Sequence, residues 1–351
     1  MKTQVQTEVD TATETDVNPF MVYHFGKIKN DGKASMKNLL GGKGANLAEM
    51  SSIGIPVPPG FTIPTTMCTY YNDKGQVLPN ELKDEVDEAI KLMEEQTGTE
   101  FGSESNPLLV SVRSGARVSM PGMMDTVLNL GLTDIAVQGL ATKTNNERMA
   151  YDSYRRFIVM YADVVKGFNG EDFEHIIDAA KAKAGVEEDT ELDVAQLKEI
   201  CLELKELYAK LSGEDFPQEP REQLYSAINA VFDSWNTERA MLYRKIQNIP
   251  SDWGTAVNVQ AMAFGNKGAT SATGVAFTRN PSTGEKTYFG EYLINAQGED
   301  VVAGIRTPLP ISAESAKAKG LENQSMEEVM PKTFAELTAV FETLEKHYTD
   351  M

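Results

Sequence analysis

The stretch VSVRSGARVSMPGMMDT (residues 110–126) carries the most information about how this chain folds. A short run rich in β-branched residues, 108–112, ends at Arg113, and a loop of Gly, Ser and Pro follows with Arg117 four positions on. No acidic residue occurs in the loop until Asp125. Two cations beside exposed backbone N–H groups suit a bound polyanion such as a nucleotide phosphate. We therefore predict a phosphate clamp at a strand end; the alternative is a buried arginine paired with a distant acid.

A second segment, Gly41-Gly42-Lys43-Gly44, repeats this combination of glycines and a cation. It does not match the P-loop signature, which needs Gly-Lys-Ser/Thr after a longer spacing. The residues after it have a helical pattern, so we predict a glycine loop that runs into a helix over residues 41–50. Lys43 would then reach phosphate oxygens near a helix N-terminus. The alternative interpretation is a surface lysine on a turn.

Composition narrows the class of partner. The chain has 351 residues, a net charge of −19, 41% hydrophobic and 24% charged residues, as in an ordinary globular protein. An acidic surface of this kind repels nucleic acid and anionic membranes, so we expect neither as a partner. No apolar run approaches the ~18 residues that a membrane span needs. Any phosphate site must therefore form as a local positive pocket within a negative protein.

Several sequence features indicate that the protein works in a reducing cellular compartment. Cys68 and Cys201 both stand among apolar residues, and we predict reduced core thiols. The three histidines have no metal-ligand spacing. Residues 1–19 are polar and lack an apolar core and arginine, which argues against a secretory or mitochondrial presequence. We predict a disordered leader there and expect the cytoplasm, with an organelle as the alternative and secretion excluded.

The order of elements predicts an α+β fold. After the leader we predict a first lobe with the glycine loops at 20–132, in which residues 20–25 and 27–29 form a hairpin-like element. Apolar residues at helical spacing predict a helical insert at 133–235, whose aromatic stripes we interpret as core. Residues 236–351 predict a second, strand-rich lobe that closes with a helix over 334–348. Runs of strands and helices in this order favour α+β over regular βαβ alternation.

Two further groups of polar residues follow predicted strands. Thr278 and Arg279 come at the end of an apolar strand and are candidate binding residues. The alternative interpretation is a hairpin edge with Asn-Pro turn chemistry. Glu299, followed by Asp300, precedes apolar residues and is a candidate for the Mg²⁺ of a nucleotide, whereas a solvated turn is the alternative. No serine or cysteine has an assignable histidine partner, so the sequence does not indicate a nucleophilic hydrolase.

Taken together, five blocks make the chain resemble the pyruvate, phosphate dikinase family. The blocks are LLGGKGANLAEM (39–50), residues 112–129, YDSYRRF (151–157), DWGTAV (252–257) and residues 274–302. They extend from about residue 20 to the end of the sequence. The related phosphoenolpyruvate synthases share the glycine-lysine and arginine-serine segments, but the Met-Pro-Gly-Met-Met-Asp-Thr block and the helical insert look more like the dikinase.

The resemblance implies an ATP-grasp nucleotide-binding domain that uses ATP and Mg²⁺. It implies that Lys43 and Arg113 act as catalytic ligands of the ATP phosphates and offset charge that develops during transfer. It also implies that Arg117 and the following loop fold over the phosphates. The nucleotide-binding residues implied overall are Gly41, Gly42, Lys43, Arg113, Arg117, Ser119, Met120, Gly122, Asp125, Thr126, Thr278, Arg279 and Glu299.

In the full family reaction, ATP, phosphate and pyruvate give AMP, diphosphate and phosphoenolpyruvate by way of a histidine on a separate swivelling domain and a pyruvate-binding barrel. The family's Thr-Ser-His motif does not occur here, and the barrel is not in this sequence. We therefore expect a truncated module that needs those domains for the full reaction. Two alternatives remain at this stage: the nucleotide domain of a phosphoenolpyruvate synthase or antibiotic phosphotransferase, and a non-catalytic nucleotide-binding module.

Overall fold

The computed structural model describes residues 21–302 and 306–349, which form a mixed α and β fold, as predicted. The leader predicted at residues 1–19 lies outside the described residues. The strands are β1 (Tyr23–Phe25), β2 (Gly60–Ile63), β3 (Glu100–Phe101), β4 (Pro107–Leu108), β5 (Val110–Gly115), β6 (Thr126–Leu130), β7 (Ala256–Ala261), β8 (Ala272–Phe277), β9 (Phe289–Ile294) and β10 (Leu309–Pro310).

The helices are distributed along the whole described chain, with the longest uninterrupted series between β6 and β7. They are α1 (Lys37–Ser52), α2 (Thr65–Asp73), α3 (Asn80–Thr97), α4 (Ala136–Thr144), α5 (Glu147–Val164), α6 (Gly170–Ala184), α7 (Val194–Ser212), α8 (Pro220–Ser234), α9 (Glu238–Gln247), α10 (Gly298–Val302), α11 (Ala313–Ala318), α12 (Met326–Val329) and α13 (Pro331–Tyr348). Within residues 21–302 and 306–349, no helix combines the length and apolar character needed to cross a bilayer.

A five-stranded antiparallel sheet in the order β1-β2-β7-β5-β6 positions the candidate site. Val110 and Val112 of β5 are fully buried, because β5 lies between β7 and β6 and β-branched side chains pack well on such a surface. Arg113 comes next on β5, where Asn258 of β7 and Thr126 of β6 are its cross-strand neighbours. The sheet thus brings together residues that are far apart in sequence.

The hairpin predicted for residues 20–29 is wrong. Residue 20 lies outside the described residues, and β1 pairs with β2, more than thirty positions downstream, whereas residues 27–29 are exposed and form no strand. Tyr23 and Phe25 are each only 2% exposed, so they need a sheet partner that carries them into the core. Lys27 and Lys29 cannot be buried without a large desolvation cost, and they remain at the surface.

The helices between β6 and β7 pack around aromatic side chains, which confirms that the predicted stripes are core. Tyr161 contacts Phe157 and Phe216 edge to face, with ring centroids 5.7 and 5.4 Å apart. The helix ends follow ordinary capping chemistry: the Asp193 side chain accepts from Gln196 N at the start of α7, and Gly213 ends that helix at φ 77°. Leu211 is the exception among the apolar residues that we predict to line one face of this helix at 194, 197, 201, 204, 208 and 211, because it is exposed near this end.

The predicted thiol chemistry is also confirmed. Cys68 and Cys201 are buried and free. Burial raises the pKa of the Cys68 thiol to about 11 and that of the Cys201 thiol to about 12. Because the thiolate is the reactive form, both cysteines are inert packing residues at neutral pH.

A smaller antiparallel sheet in the order β10-β9-β8 forms the last part of the described chain. One of its faces packs on a separate apolar cluster that includes Tyr292, Ile311, Met326 and Phe341. Helix α13 covers this cluster, and its amphipathic character agrees with the prediction of a closing helix. Its His347 Nε2 lies 2.8 Å from Glu49 Oε1 on α1, which ties the end of the chain to the first part of the structure.

Candidate anion-binding site

The glycines of the segment 41–44, which we predict to form a loop before a helix, lie inside helix α1 and interrupt it. Helix α1 begins at Lys37, but Gly41 has φ 68° and ψ 171°, a conformation that only glycine adopts readily. A Cβ atom on Gly41 would lie 1.9 Å from the Gly115 carbonyl oxygen. The adjacent Gly42 N–H donates to Ala116 O at 2.9 Å. The break therefore lets α1 approach the end of β5 at backbone distance.

This approach places Lys43 next to the strand end that carries the arginines. Its Nζ donates to Ser114 O at 2.9 Å. Lys43 is exposed, and this hydrogen bond directs its ammonium group toward the end of β5. Burial, together with the charge of Arg113, lowers the pKa of Lys43 to about 8. An ammonium group held near another cation gains stabilisation from any anion that binds between them.

Arg113 is a half-buried cation on β5, an interior strand between β7 and β6. Its Nε is buried and has no hydrogen-bond partner, and no carboxylate of the described residues forms an ion pair with it. Burial lowers the pKa of its guanidinium group, although the group stays charged. Leaving donors of a buried cation unpaired costs free energy, and that cost is removed when an acceptor arrives.

Arg117 lies in the loop after β5 and contacts an aromatic ring. Its guanidinium carbon is 5.1 Å from the centroid of Trp253, within the range of cation–π attraction. Its Nε, like that of Arg113, is buried without a hydrogen-bond partner. Burial lowers the pKa of Arg117, and the nearby charge of Asp252 opposes that shift. The sequence block 252–257 contains Trp253, but sequence reasoning assigned this residue no role, because nothing local shows what it contacts.

The loop between β5 and β6 is fastened at its far end. Asp125 forms an ion pair with Arg239 of α9, and Arg239 Nε donates to Met123 O at 3.3 Å. Burial raises the pKa of Asp125, and the attraction to Arg239 opposes this. Asp125 is thus held by Arg239, in the loop that sequence reasoning assigned to nucleotide binding. Of the other predicted loop residues, Ser119 is exposed, Met120 is buried in the core and Gly122 turns the chain at φ 70°.

Buried polar groups form the floor beneath these loops. Thr62 Oγ1 donates to Asn258 Oδ1 at 2.9 Å, and Gly115 N–H donates to Thr255 Oγ1 at 3.2 Å. A Cβ on Gly44 would lie 2.7 Å from Thr62 Oγ1, so α1 can pack here only with glycine at this position. The Nδ2 of Asn258 has no hydrogen-bond partner among the described residues. This floor holds the strand end and α1 in a fixed relation.

The remaining predicted residues lie with other partners. Thr278 Oγ1 donates to Glu345 Oε2 at 2.8 Å, and Arg279 Nε donates to Glu345 Oε1 at 2.6 Å. Arg279 also donates to Gly284 O at 3.2 Å. A carboxylate of α13 therefore already neutralises this arginine.

Glu299 is likewise engaged. Arg156 on α5 lies 3.3 Å from Glu299 Oε2, 3.2 Å from Asp300 Oδ1 and 3.1 Å from Asp152 Oδ2. Burial would lower the pKa of Arg156, but these carboxylates, Asp152 foremost, raise it above its usual value. The second oxygen of Glu299, Oε1, is buried and accepts no hydrogen bond from the described residues.

The structure therefore divides the predicted residues into three places. Gly41, Gly42 and Lys43 meet the end of β5 beside Arg113, Arg117 follows two residues after that strand, and Thr126 stands beside Arg113 on β6. Ser119, Met120, Gly122 and Asp125 lie in the connecting loop, while Thr278, Arg279 and Glu299 belong to ion-paired clusters. We call Lys43, Arg113 and Arg117 the cation cluster. Cations that form no ion pair are able to accept the oxygens of a polyanion.

Comparisons with known proteins agree with that chemistry. The family model described as "Pyruvate phosphate dikinase, AMP/ATP-binding domain" matches residues 37–80 and 74–351. Pyruvate, phosphate dikinase of Clostridium symbiosum is 56% identical over 331 residues, which cover 94% of this chain and 36% of the relative. The Rhizobium meliloti protein of that name is 54% identical and the chloroplastic one of Mesembryanthemum crystallinum is 53% identical, each over 94% of this chain. The chain spans about a third of the length of these relatives.

Proposed function

The chain belongs to the pyruvate phosphate dikinase AMP/ATP-binding domain family, and from this premise we propose that its cation cluster binds the phosphates of ATP. The observation that carries the proposal is the absence of ion-pair partners for Arg113 and Arg117 within the described residues of a chain of net charge −19. In a protein with so many acids, cations without carboxylates are costly unless a ligand neutralises them.

The fold supports a finer proposal, an ATP-grasp arrangement. In it, the five-stranded sheet with the glycine break and the cation cluster forms one lobe, and the three-stranded sheet forms the other. We keep the proposed bounds of a first lobe at 20–132, a helical insert at 133–235 and a second lobe at 236–351, except that β7 (Ala256–Ala261) pairs within the sheet of the first lobe. Nucleotides in such folds bind between lobes, so Thr278, Arg279 and Glu299 belong to the proposed site as residues of the second lobe.

Lys43 and Arg113 are the proposed catalytic residues. Phosphoryl transfer needs mainly positioning and neutralisation of charge on the phosphate oxygens, and fixed cations at a strand end supply both. Mg²⁺ neutralises the phosphates further when it is bound. Within residues 21–302 and 306–349, no cluster of three His, Cys, Asp or Glu side chains is arranged to hold a metal. We therefore propose that Mg²⁺ enters with ATP and is held chiefly by phosphate oxygens.

On this proposal the chain serves as the ATP-dependent module of a dikinase. The full reaction converts ATP, phosphate and pyruvate into AMP, diphosphate and phosphoenolpyruvate. The module would donate phosphoryl to a histidine on a separate domain, and a further barrel domain would bind pyruvate. The length of the relatives, about three times the matched region, leaves room for both of those domains.

The test is a calorimetric titration of the chain with Mg-ATP, using two matched arginine variants. Arg113→Ala removes a cation without an ion pair and should weaken binding about 10- to 100-fold, the range for a charge-assisted contact to phosphate. Arg279→Ala removes a cation that Glu345 already neutralises, so the loss should be smaller. Equal and negligible losses in the two variants would contradict the assignment of the phosphates to the cation cluster.

A further inference from the structure

We propose that Trp253 is a positioning residue for nucleotide binding, because its ring holds the Arg117 guanidinium at the end of β5 without occupying the hydrogen-bond donors of that group. The inference rests on the proposed function of the cation cluster and adds a residue to it. It assigns Trp253 no contact with the nucleotide itself.

The surroundings of Arg117 identify the ring as its main support. The guanidinium carbon lies 5.1 Å from the ring centroid of Trp253. No side chain of the described residues forms an ion pair with Arg117, and its Nε is buried without a partner. Asp252 is near enough to influence the charge but forms no ion pair with it. An arginine side chain has many rotamers, so one held by a single neighbour takes its position from that neighbour.

Trp253 is itself fixed by its neighbours in sequence. It ends the 3₁₀ turn Ser251–Trp253, and the Trp235 indole N–H donates to Ser251 O at 2.9 Å. Gly254 follows at φ 67°, where a Cβ would lie 2.8 Å from Thr65 O. Thr255 Oγ1 accepts the Gly115 N–H at 3.2 Å. The segment that carries the ring is therefore anchored on both sides, and one anchor is the end of β5, two residues before Arg117.

An aromatic ring suits this task better than a carboxylate does. Its face attracts the cation, but it offers no acceptor oxygen to the guanidinium N–H groups. A carboxylate would neutralise the charge and occupy two donors, as Glu345 does for Arg279. Support by Trp253 leaves the charge and the terminal donors of Arg117 available to a phosphate. The same logic explains why Arg117 can be held in place in the absence of a ligand.

The experiment is a double-mutant cycle with Mg-ATP affinity as the readout. Trp253→Leu should weaken binding about three- to tenfold, the fold-change that corresponds to a partly desolvated cation–π contact. Trp253→Phe keeps an aromatic face and should restore part of the loss. In an Arg117→Ala background, Trp253→Leu should cause no further loss beyond about twofold, because its target is gone.

A matched control comes from the helical region. Tyr151 is a half-buried aromatic residue 4.9 Å from Lys198 Nζ, in a cation–π pair that belongs to α5 and α7. Tyr151→Leu makes a comparable change in packing and should leave Mg-ATP affinity unchanged. Tryptophan emission gives a second readout, since the chain has only Trp235 and Trp253. Mg-ATP should change the emission of the wild type but not that of Trp253→Phe.

The outcomes separate this inference from the proposed function. Wild-type affinity in Trp253→Leu, or full additivity of its loss with that of Arg117→Ala, would overturn the positioning role and leave ATP binding intact. If Trp253→Leu does not fold, the emission measurement decides: a response to Mg-ATP in Trp253→Phe as large as that of the wild type would overturn the positioning role. Failure of the wild type to bind Mg-ATP would remove the proposed function and this inference together.

Discussion

The arginines of the cation cluster and those near the second sheet differ in one respect, the presence of acids. Arg156 lies within 3.3 Å of three carboxylates, and Arg279 is paired with Glu345. Arg113 and Arg117 have no such partner among the described residues. Arg156 and Arg279 thus stabilise the folded structure, whereas Arg113 and Arg117 are free to bind a ligand. This contrast predicts opposite responses to mutation.

The largest expected effect is on stability at Arg156. Arg156→Met keeps the aliphatic stem but leaves Asp152, Glu299 and Asp300 without a counter-charge, and we expect a loss of about 3–5 kcal/mol in the free energy of unfolding. Arg113→Met, the matched change in the cation cluster, should cost less than about 1 kcal/mol, since it breaks no ion pair. Urea denaturation measures both. Similar losses in the two variants would remove the distinction between the regions.

The next effect concerns the glycine break that brings Lys43 to the arginines. Gly41→Ala forces a non-glycine residue to φ 68° and a Cβ atom to within 1.9 Å of Gly115 O. We expect a loss of about 2–4 kcal/mol, the sum of backbone strain and steric overlap. At Gly42 an added Cβ would be 3.7 Å from Ala116 O, an ordinary contact, so Gly42→Ala should leave stability nearly unchanged. Wild-type stability of Gly41→Ala would show that this close approach does not occur in solution.

The smallest effect is a pH dependence of binding. The pKa of Lys43 is about 8 in the free protein, and a phosphate bound next to it must raise that pKa. Mg-ATP affinity should therefore be highest below pH 7 to 8, where Lys43 is protonated. It should fall by up to about tenfold per pH unit as the pH rises through 8. Titrations from pH 7 to 9.5 measure this, and Lys43→Arg should flatten the profile. A rise in affinity with pH would contradict the role of Lys43.

Local patterns were sufficient for the parts of the fold that depend on neighbouring residues. The aromatic spacing of α5 predicted a buried face, and Tyr154, Phe157 and Tyr161 are core residues. The absence of acids around Arg113 predicted a cation without an ion pair, and the structure agrees for the described residues. The roles of the site residues in binding remain a prediction, because they depend on a ligand.

Local patterns failed wherever a partner came from a distant part of the chain. Strand β1 pairs with β2 and not with residues 27–29, because burial of Tyr23 and Phe25 outweighs the lower entropic cost of closing a short turn. Arg279 pairs with Glu345 across 66 positions, and Arg156 reaches Glu299 across 143. No window of sequence contains both members of these pairs. The support of Arg117 by Trp253 escaped sequence reasoning for the same reason.

The sequence by itself determined the mixed helix and strand content, the buried apolar faces and the position of cations within acid-free loops. These depend on periodicity and composition over a few residues, where backbone sterics and side-chain burial act locally. Only the tertiary structure decided which cations stay uncompensated, because a charge is neutralised by whatever lies within about 4 Å in space. The conformation of Gly41, at φ 68°, brings Lys43 next to the end of β5. Carboxylates from distant parts of the chain neutralise Arg156 and Arg279, so these two arginines are not among the uncompensated cations.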